Sequence, residues 1–292
     1  MNPKQEIGNK TEVEDNSVSS EQKGRYLYCL IGDAEERKFA YPAIGERQDK
    51  NHPFSKNFGA GVHSISYQDI AAVISSSPII KYPISRENTM AHQKVLEELM
   101  KDFTVLPVRF GTIAGTKNGI CAEERIREEV LKLRYKELKD LLIKMDNKIE
   151  LGIKAFWIDT KIIFQEIVDE NSRIRRLRQR LTSKPFGHPF GEKASLGEMV
   201  KNALENKKAK EEKDILDVLK KACVEWRGNK VFGDNMITNG SFLVEKSRVE
   251  EFDSLVNKLD LEYDGRIKFK YVGPIPPINF VELVIVLEGE KA

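Results

Sequence analysis

Near the C-terminus, Pro274, Pro276 and Pro277 fall close together, and no other feature narrows the chain's folding options as much. Just before them Ile267, Phe269 and Tyr271 alternate with Arg266, Lys268 and Lys270, the period-two pattern of a strand with one dry and one wet face. Asp264-Gly265 ahead of that strand is turn chemistry, because glycine accepts positive φ without steric penalty. Each proline removes a backbone donor and holds φ near about −65°, so the ladder is expected to break at Gly273 and a stiff bend to follow. Past the bend, Phe280 to Leu287 is apolar except for Glu282, and its valines and isoleucine favour a buried strand. The segment is either a rigid turn inside a core or a proline platform that presents Tyr271, Pro274, Pro276, Pro277, Ile278 and Phe280 to a partner. The residues alone support both.

The chain has 292 residues, enough for two units with cores of their own. Its 48 basic and 46 acidic residues nearly cancel, which argues against a dedicated nucleic-acid binder. Cys29, Cys121 and Cys223 lie far apart and build no metal site with the histidines, so reduced thiols and no cofactor or metal are expected. No run has the length of a membrane span and the N-terminus is not signal-like, so the expectation is a cytoplasmic protein without membrane contact.

Residues 1–23, rich in Glu, Asn, Ser and Lys, read as a disordered tail. A first unit is expected over 24–147. It opens with a strand at 25–31, followed by an irregular insertion over 33–60. Two strands at 61–67 and 70–74 meet at a Gln68-Asp69 turn. A helix from Ser85–Asn88 carries Val95, Leu96, Leu99 and Met100 on one side, and Pro107 limits the extended stretch 105–112 to an edge or bulge. This order predicts an α+β sandwich with helices on one face of an antiparallel sheet. One long helix from Ala122 to Met145, with Leu131, Tyr135, Leu138, Leu142 and Met145 as a coiled-coil-like seam, ends at Asp146-Asn147.

A second α+β unit is expected over 148–292, opening with a strand at 149–157. Asp159 or Thr160 caps a helix with Ile163, Ile167, Ile174, Leu177 and Leu181 on one side and Arg173, Arg175, Arg176, Arg178 and Arg180 on the other. A loop spans 184–191. Ser195 and Glu198 read as a capping box opening a helix to about Trp226, whose charged middle from Glu205 to Asp214 is expected in solvent. Met236 to Val244 is a strand with a bulge or turn at Asn239-Gly240. Ser247 and Glu250 form a second capping box, before a helix with Val249, Phe252, Leu255, Val256 and Leu259 inward. The helices are expected to lean on one another as a bundle, and the shared plan of the halves hints at duplication.

Little of this asks for catalysis. His52, His63, His92 and His188 share no ligand spacing, and His92 fits a surface or core-edge position. Gly59-Ala60-Gly61 lacks the further glycine and the Lys-Ser/Thr pair of a phosphate loop, and no serine sits in a nucleophile elbow. The carboxylates lie among lysines at helical spacing, as solvated pairs do. Arg173, Arg176 and Arg180, with the arginines between them, make the best case for a polyanion site. The lack of interleaved aromatics and the glutamates of neighbouring helices favour an intramolecular or protein contact instead.

Several blocks in fixed order resemble one known family. They are Arg25-Tyr26-Leu27-Tyr28, His92-x-x-Val95-Leu96 leading to Val105–Thr112, Ile149–Trp157, Met236–Val244 and Gly265–Phe280. Together they resemble the gas vesicle protein F/L family, accessory proteins of the gas-filled protein shells that make prokaryotic cells buoyant. The family usually carries tyrosine after the double proline, where this chain has Ile278. The resemblance implies a modified ferredoxin-like N-terminal domain, a C-terminal α+β domain with coiled-coil helices, and no catalysis. It also implies binding of the hydrophobic shell protein and other accessory proteins during vesicle nucleation and growth, with some members staying as minor shell components. Two readings compete with it. One is a small-ligand regulatory or enzymatic ferredoxin-like module, and the other a polyanion binder working through Arg173–Arg180.

Overall fold

The computed structural model describes residues 23–44, 61–183 and 190–287. The tail up to residue 22, much of the 33–60 insertion, Gly59-Ala60, the 184–189 loop, His52 and His188 lie outside the described residues.

The first half is built on β1 (Lys23–Ile31), β2 (His63–Tyr67), β3 (Ile70–Pro78), β4 (Val105–Pro107) and the short β5 (Ile113–Ala114). The antiparallel sheet runs β2-β3-β1-β4, with β5 also beside β1. Gln68 at φ 54° makes the tight turn between β2 and β3, and Pro107 ends β4 at the sheet edge. Helix α1 (Arg86–Leu99) starts where the Ser85 side chain accepts from the Asn88 amide.

Helices cover both faces of this sheet, not the one face expected. Tyr26, Tyr28 and Val73 pack under α1, while Leu27, Ile70, Ala72 and Ile74 pack under the helical stretch after β5. The reason lies in β1 itself, where every residue from Tyr26 to Ile31 is buried, as in a central strand with two dry faces. The 122–145 helix is also not continuous. It divides into α2 (Ala122–Arg125), a π-helical stretch (Ile126–Lys132) and α3 (Tyr135–Met145). In a straight helix Ile126 and Val130 would sit about 100° away from the Leu138–Met145 row, and the wider turn brings both rows onto the sheet.

The second half carries β6 (Lys148–Trp157), β7 (Glu225–Gly228), β8 (Met236–Glu245) and β9 (Ile267–Ile275), ordered β7-β8-β6-β9 and antiparallel throughout. In both sheets the first strand lies between the third and fourth, and the second is outermost. Helices α4 (Thr160–Glu170), α5 (Ser172–Ser183), α6 (Phe190–Leu219) and α7 (Val249–Glu262) lie on one face. There Leu151, Ile153, Ala155, Trp157, Phe242 and Val244 meet Ile163, Ile167, Ile174, Ile215, Leu219 and Phe252.

Several local expectations are corrected here. The helix expected to run from 160 to 181 breaks at Asn171, whose Oδ1 accepts from the Arg173 and Ile174 amides and opens α5. Neither capping box forms. Ser195 lies inside α6, and a 3-10 turn at Lys246–Arg248 leads into α7 with no side-chain cap. α6 stops at Leu219, so Trp226 sits in β7 opposite Phe242. Glu211, within the stretch expected to be solvated, is buried. Asn239-Gly240 pairs regularly with Lys154 and Ile153, and the bulge falls beside Phe156.

At the prolines the ladder does not stop at Gly273. It continues to Ile275, opposite Glu150, through a register shift after Val272, with Gly273 at φ 125° and a cis Gly273-Pro274 bond. A Cβ at Gly273 would stand 2.9 Å from the Glu150 carbonyl oxygen, so the close approach requires glycine. Beyond it, Phe280–Leu287 joins no ladder. It runs as an unpaired strap, with Val281, Leu283 and Leu287 buried and Val284 and Val286 exposed.

Candidate interaction surface

The strap, residues 276–287, leaves the second sheet and ends on the first half. Phe280, Val281, Leu283 and Leu287 share one core cluster with Leu138, Leu142, Met145 and Leu243. Its root is held by a buried carboxylate on β6. Buried Glu150 accepts from the Asn279 backbone amide at 2.8 Å and from the Asn279 side-chain amide. That side chain also donates to Ser241 Oγ at 3.0 Å, which accepts from Asn229 as well. Further out, Arg227 pairs with Glu282 at 2.6 Å and lies over the Phe280 ring, and Arg134 donates to the Val284 carbonyl. Sequence reasoning missed Glu150 and Asn279. The available signal was the strand's one carboxylate, set between Ile149 and Leu151.

The proline platform divides in two. Pro276, Pro277 and Phe280, at the root of the strap, are buried. Tyr271 (41% exposed), Pro274 and Ile278 (45%) face solvent, and the Tyr271 hydroxyl donates to Asp253. With Val284 at 67% and Val286 at 74%, the exposed apolar groups follow the strap.

On α5, Arg173, Arg175, Arg176, Arg178 and Arg180 are all exposed around buried Ile174. Arg175 donates to carbonyls at the end of α4, and Arg178 to Gln165. Among the described residues only Arg180 of the five reaches a carboxylate, Glu192 at 3.5 Å, so the expected pairing with neighbouring glutamates is sparse.

The buried polar groups elsewhere satisfy one another. His92 meets the Tyr26 hydroxyl at 3.0 Å among aromatic rings, and burial pushes its imidazole down to about 4. Burial likewise pushes the Tyr26 phenol up. Between α4 and α6 an open cleft of about 750 Å³ holds Arg266, whose guanidinium grips Glu166 at 2.6 and 3.0 Å and Glu211 at 2.6 Å. Trp157 donates its indole N–H to the same Glu211, and Lys207 bridges Glu166 and Glu170. The hydrogen bond from Arg266 holds the Glu166 carboxyl below its usual range. Among the described residues no cluster of His, Cys, Asp or Glu is arranged to hold a metal ion, and no helix is long and apolar enough to cross a membrane.

The fold and this surface define a two-sheet α+β scaffold whose distinguishing features are an unpaired strap and exposed apolar and basic groups. The chain belongs to the gas vesicle synthesis protein GvpL/GvpF family, which it matches over residues 24–282, and its role lies in gas vesicle formation. It is 30% identical to gas vesicle protein F of Streptomyces sp. (strain CB03234) over 213 residues, 73% of this chain and 84% of that one. With gas vesicle protein F of Microcystis aeruginosa (strain PCC 7806) it shares 25% identity over 76% of this chain and 88% of the relative. The fold is that of the crystal structure of GvpF from Anabaena sp. PCC7120, with a TM-score of 0.73 at 23% identity, covering 90% of this chain and all of the other. GvpF from Microcystis aeruginosa superposes with a TM-score of 0.70 at 24% identity, over 89% and 99% of the two chains.

Proposed function

We propose that this chain is a non-enzymatic accessory factor that binds the hydrophobic gas vesicle shell protein and further accessory proteins. It does so in the cytoplasm while the vesicle nucleates and grows, and it stays associated with the vesicle. One observation carries the reading. The strap is extended and outside any ladder, and it turns Val284 and Val286 to solvent. Exposed apolar groups on an extended, unpaired segment suit strand addition by an apolar partner, which the strap would shield from water before assembly.

The test is capture of purified shell protein by the full chain, with Val284→Asp/Val286→Asp beside it. Capture by the parent chain and loss in the variant support the reading. No capture under any assembly condition sinks it.

The finer architecture belongs to the same proposal. The first half is a modified ferredoxin-like unit, supported by its 2-3-1-4 strand order with α1 joining the third and fourth strands. A unit boundary near Asn147 is supported by its φ of 55° between α3 and β6, and a coiled-coil-like arrangement by the mutual packing of α4, α5 and α6.

A further inference from the structure

The strap roofs only part of the open face of the second sheet. Away from Glu150 and Leu243, that face carries Lys154 and Phe156 on β6 and Lys268, Lys270 and Val272 on β9, with α4 to α7 all on the opposite side. β9 is the last strand in the sheet order, so its outer edge has no strand partner, and residues 270–274 are all exposed. Lys154 and Lys270 stand opposite each other across the β6–β9 pair. Like charges in that position repel. Among the described residues none of Lys154, Lys268 and Lys270 reaches a carboxylate; Lys270 instead lies 5.1 Å from the centre of the Phe156 ring.

We propose that the free edge of β9 takes an extended acidic segment of a partner protein by strand addition, with Lys154, Lys268 and Lys270 receiving its carboxylates. The periodicity sets the partner's chemistry. A strand laid along β9 projects alternate side chains over the lysine face at the same two-residue spacing that separates Lys268 from Lys270. Its other side chains fall beside Phe269 and Tyr271, on the face that packs against α7. The fitting sequence therefore alternates acidic and apolar residues. The lysines also discourage pairing with a purely apolar strand, so this edge selects a different partner from the one proposed for the strap. A nucleic acid fits less well, because Phe156 is the one ring among the lysines and Lys270 occupies its face, leaving no platform for stacked bases.

The test uses the full chain and a labelled peptide of alternating glutamate and valine, followed by fluorescence anisotropy. Saturable binding is expected, weakened about tenfold in Lys154→Gln/Lys268→Gln/Lys270→Gln by the loss of three exposed charge pairs. Methylating alternate peptide amides should abolish binding, and Val284→Asp/Val286→Asp should leave it unchanged. Circular dichroism of each variant establishes that the fold is retained. Equal binding by the triple glutamine variant, or by the methylated peptide, overturns the proposal. So does tighter binding of a single-stranded thymidine oligonucleotide to the same lysines.

Discussion

The two sheets share a strand order and differ in what their faces meet. In the first, β1 is buried along its length from Tyr26 to Ile31, between α1 on one side and the α2–α3 stretch on the other. In the second, β6 alternates. Its odd-numbered residues from Ile149 to Trp157 pack on helices, while Lys154 and Phe156 turn to a face that the strap roofs only in part. Topology therefore leaves open which sheet is a core and which a surface, and the periodicity of the central strand decides it. The strap makes the halves interdependent, since its root is fixed to the second sheet and its apolar groups complete the core of the first.

The sharpest way to break this comparison is Phe280→Ala. The ring is buried where the strap enters the shared core, so the loss is expected at about 3–5 kcal/mol of unfolding free energy, measured by denaturant titration. A loss near zero would mean that the strap lies on the first half without stabilising it.

Next in size is a pH effect assigned to the first half. His92 is neutral in the folded chain, with its pKa held at about 4, whereas an unfolded histidine titrates near about 6.5. The unfolded state therefore binds the extra proton between those values. Stability present above about pH 6.5 falls as pH drops and levels off near about pH 4, with a total loss of roughly 3 kcal/mol. His92→Gln should flatten that slope in denaturation series at pH 7 and pH 4.5 or so. Glu166 in the second half, its carboxyl held low by Arg266, contributes stability that is lost at lower pH, as pH falls from the usual carboxylate range toward its lowered folded value. An unchanged slope in the variant would remove the distinction between the halves.

Asn279→Ala tests the joint between them. It leaves the buried Glu150 carboxylate without its side-chain amide donor, at a cost of roughly 2 kcal/mol. Adding Glu150→Gln should cost less than the sum of the single changes, because both remove the same interaction.

Much of the fold was legible where pattern and punctuation agree. Alternation marked the start of β9, and Gln68-Asp69 and Asp264-Gly265 marked turns that the backbone makes. What stayed hidden depended on partners distant in sequence. Glu211 reads as solvated among lysines, yet it is buried by bonds to Trp157 and Arg266, and Glu150 finds its donor at Asn279. β7 was hidden because Ala222 and Trp226 continue the three- and four-residue steps of the helix before them. Of the candidate contact residues, Tyr271, Pro274 and Ile278 are exposed, but Pro276, Pro277 and Phe280 are covered by the chain's own return to the first half. No local pattern announces that return.

The smallest expected effect on stability separates the two sides of the strap. Val281, Leu283 and Leu287 point inward, while Val284 and Val286 point out, so Val284→Asp/Val286→Asp removes little buried surface. Its unfolding free energy should stay within about 0.5 kcal/mol of the parent, the range of ordinary surface changes. Leu283→Ala on the same strap should cost about 2–5 kcal/mol. If the outward pair proved as destabilising as the inward residue, those valines would be part of the fold, and the strap would offer a partner no apolar edge. A neutral stability effect with lost shell-protein capture would instead separate holding the halves together from reaching beyond them.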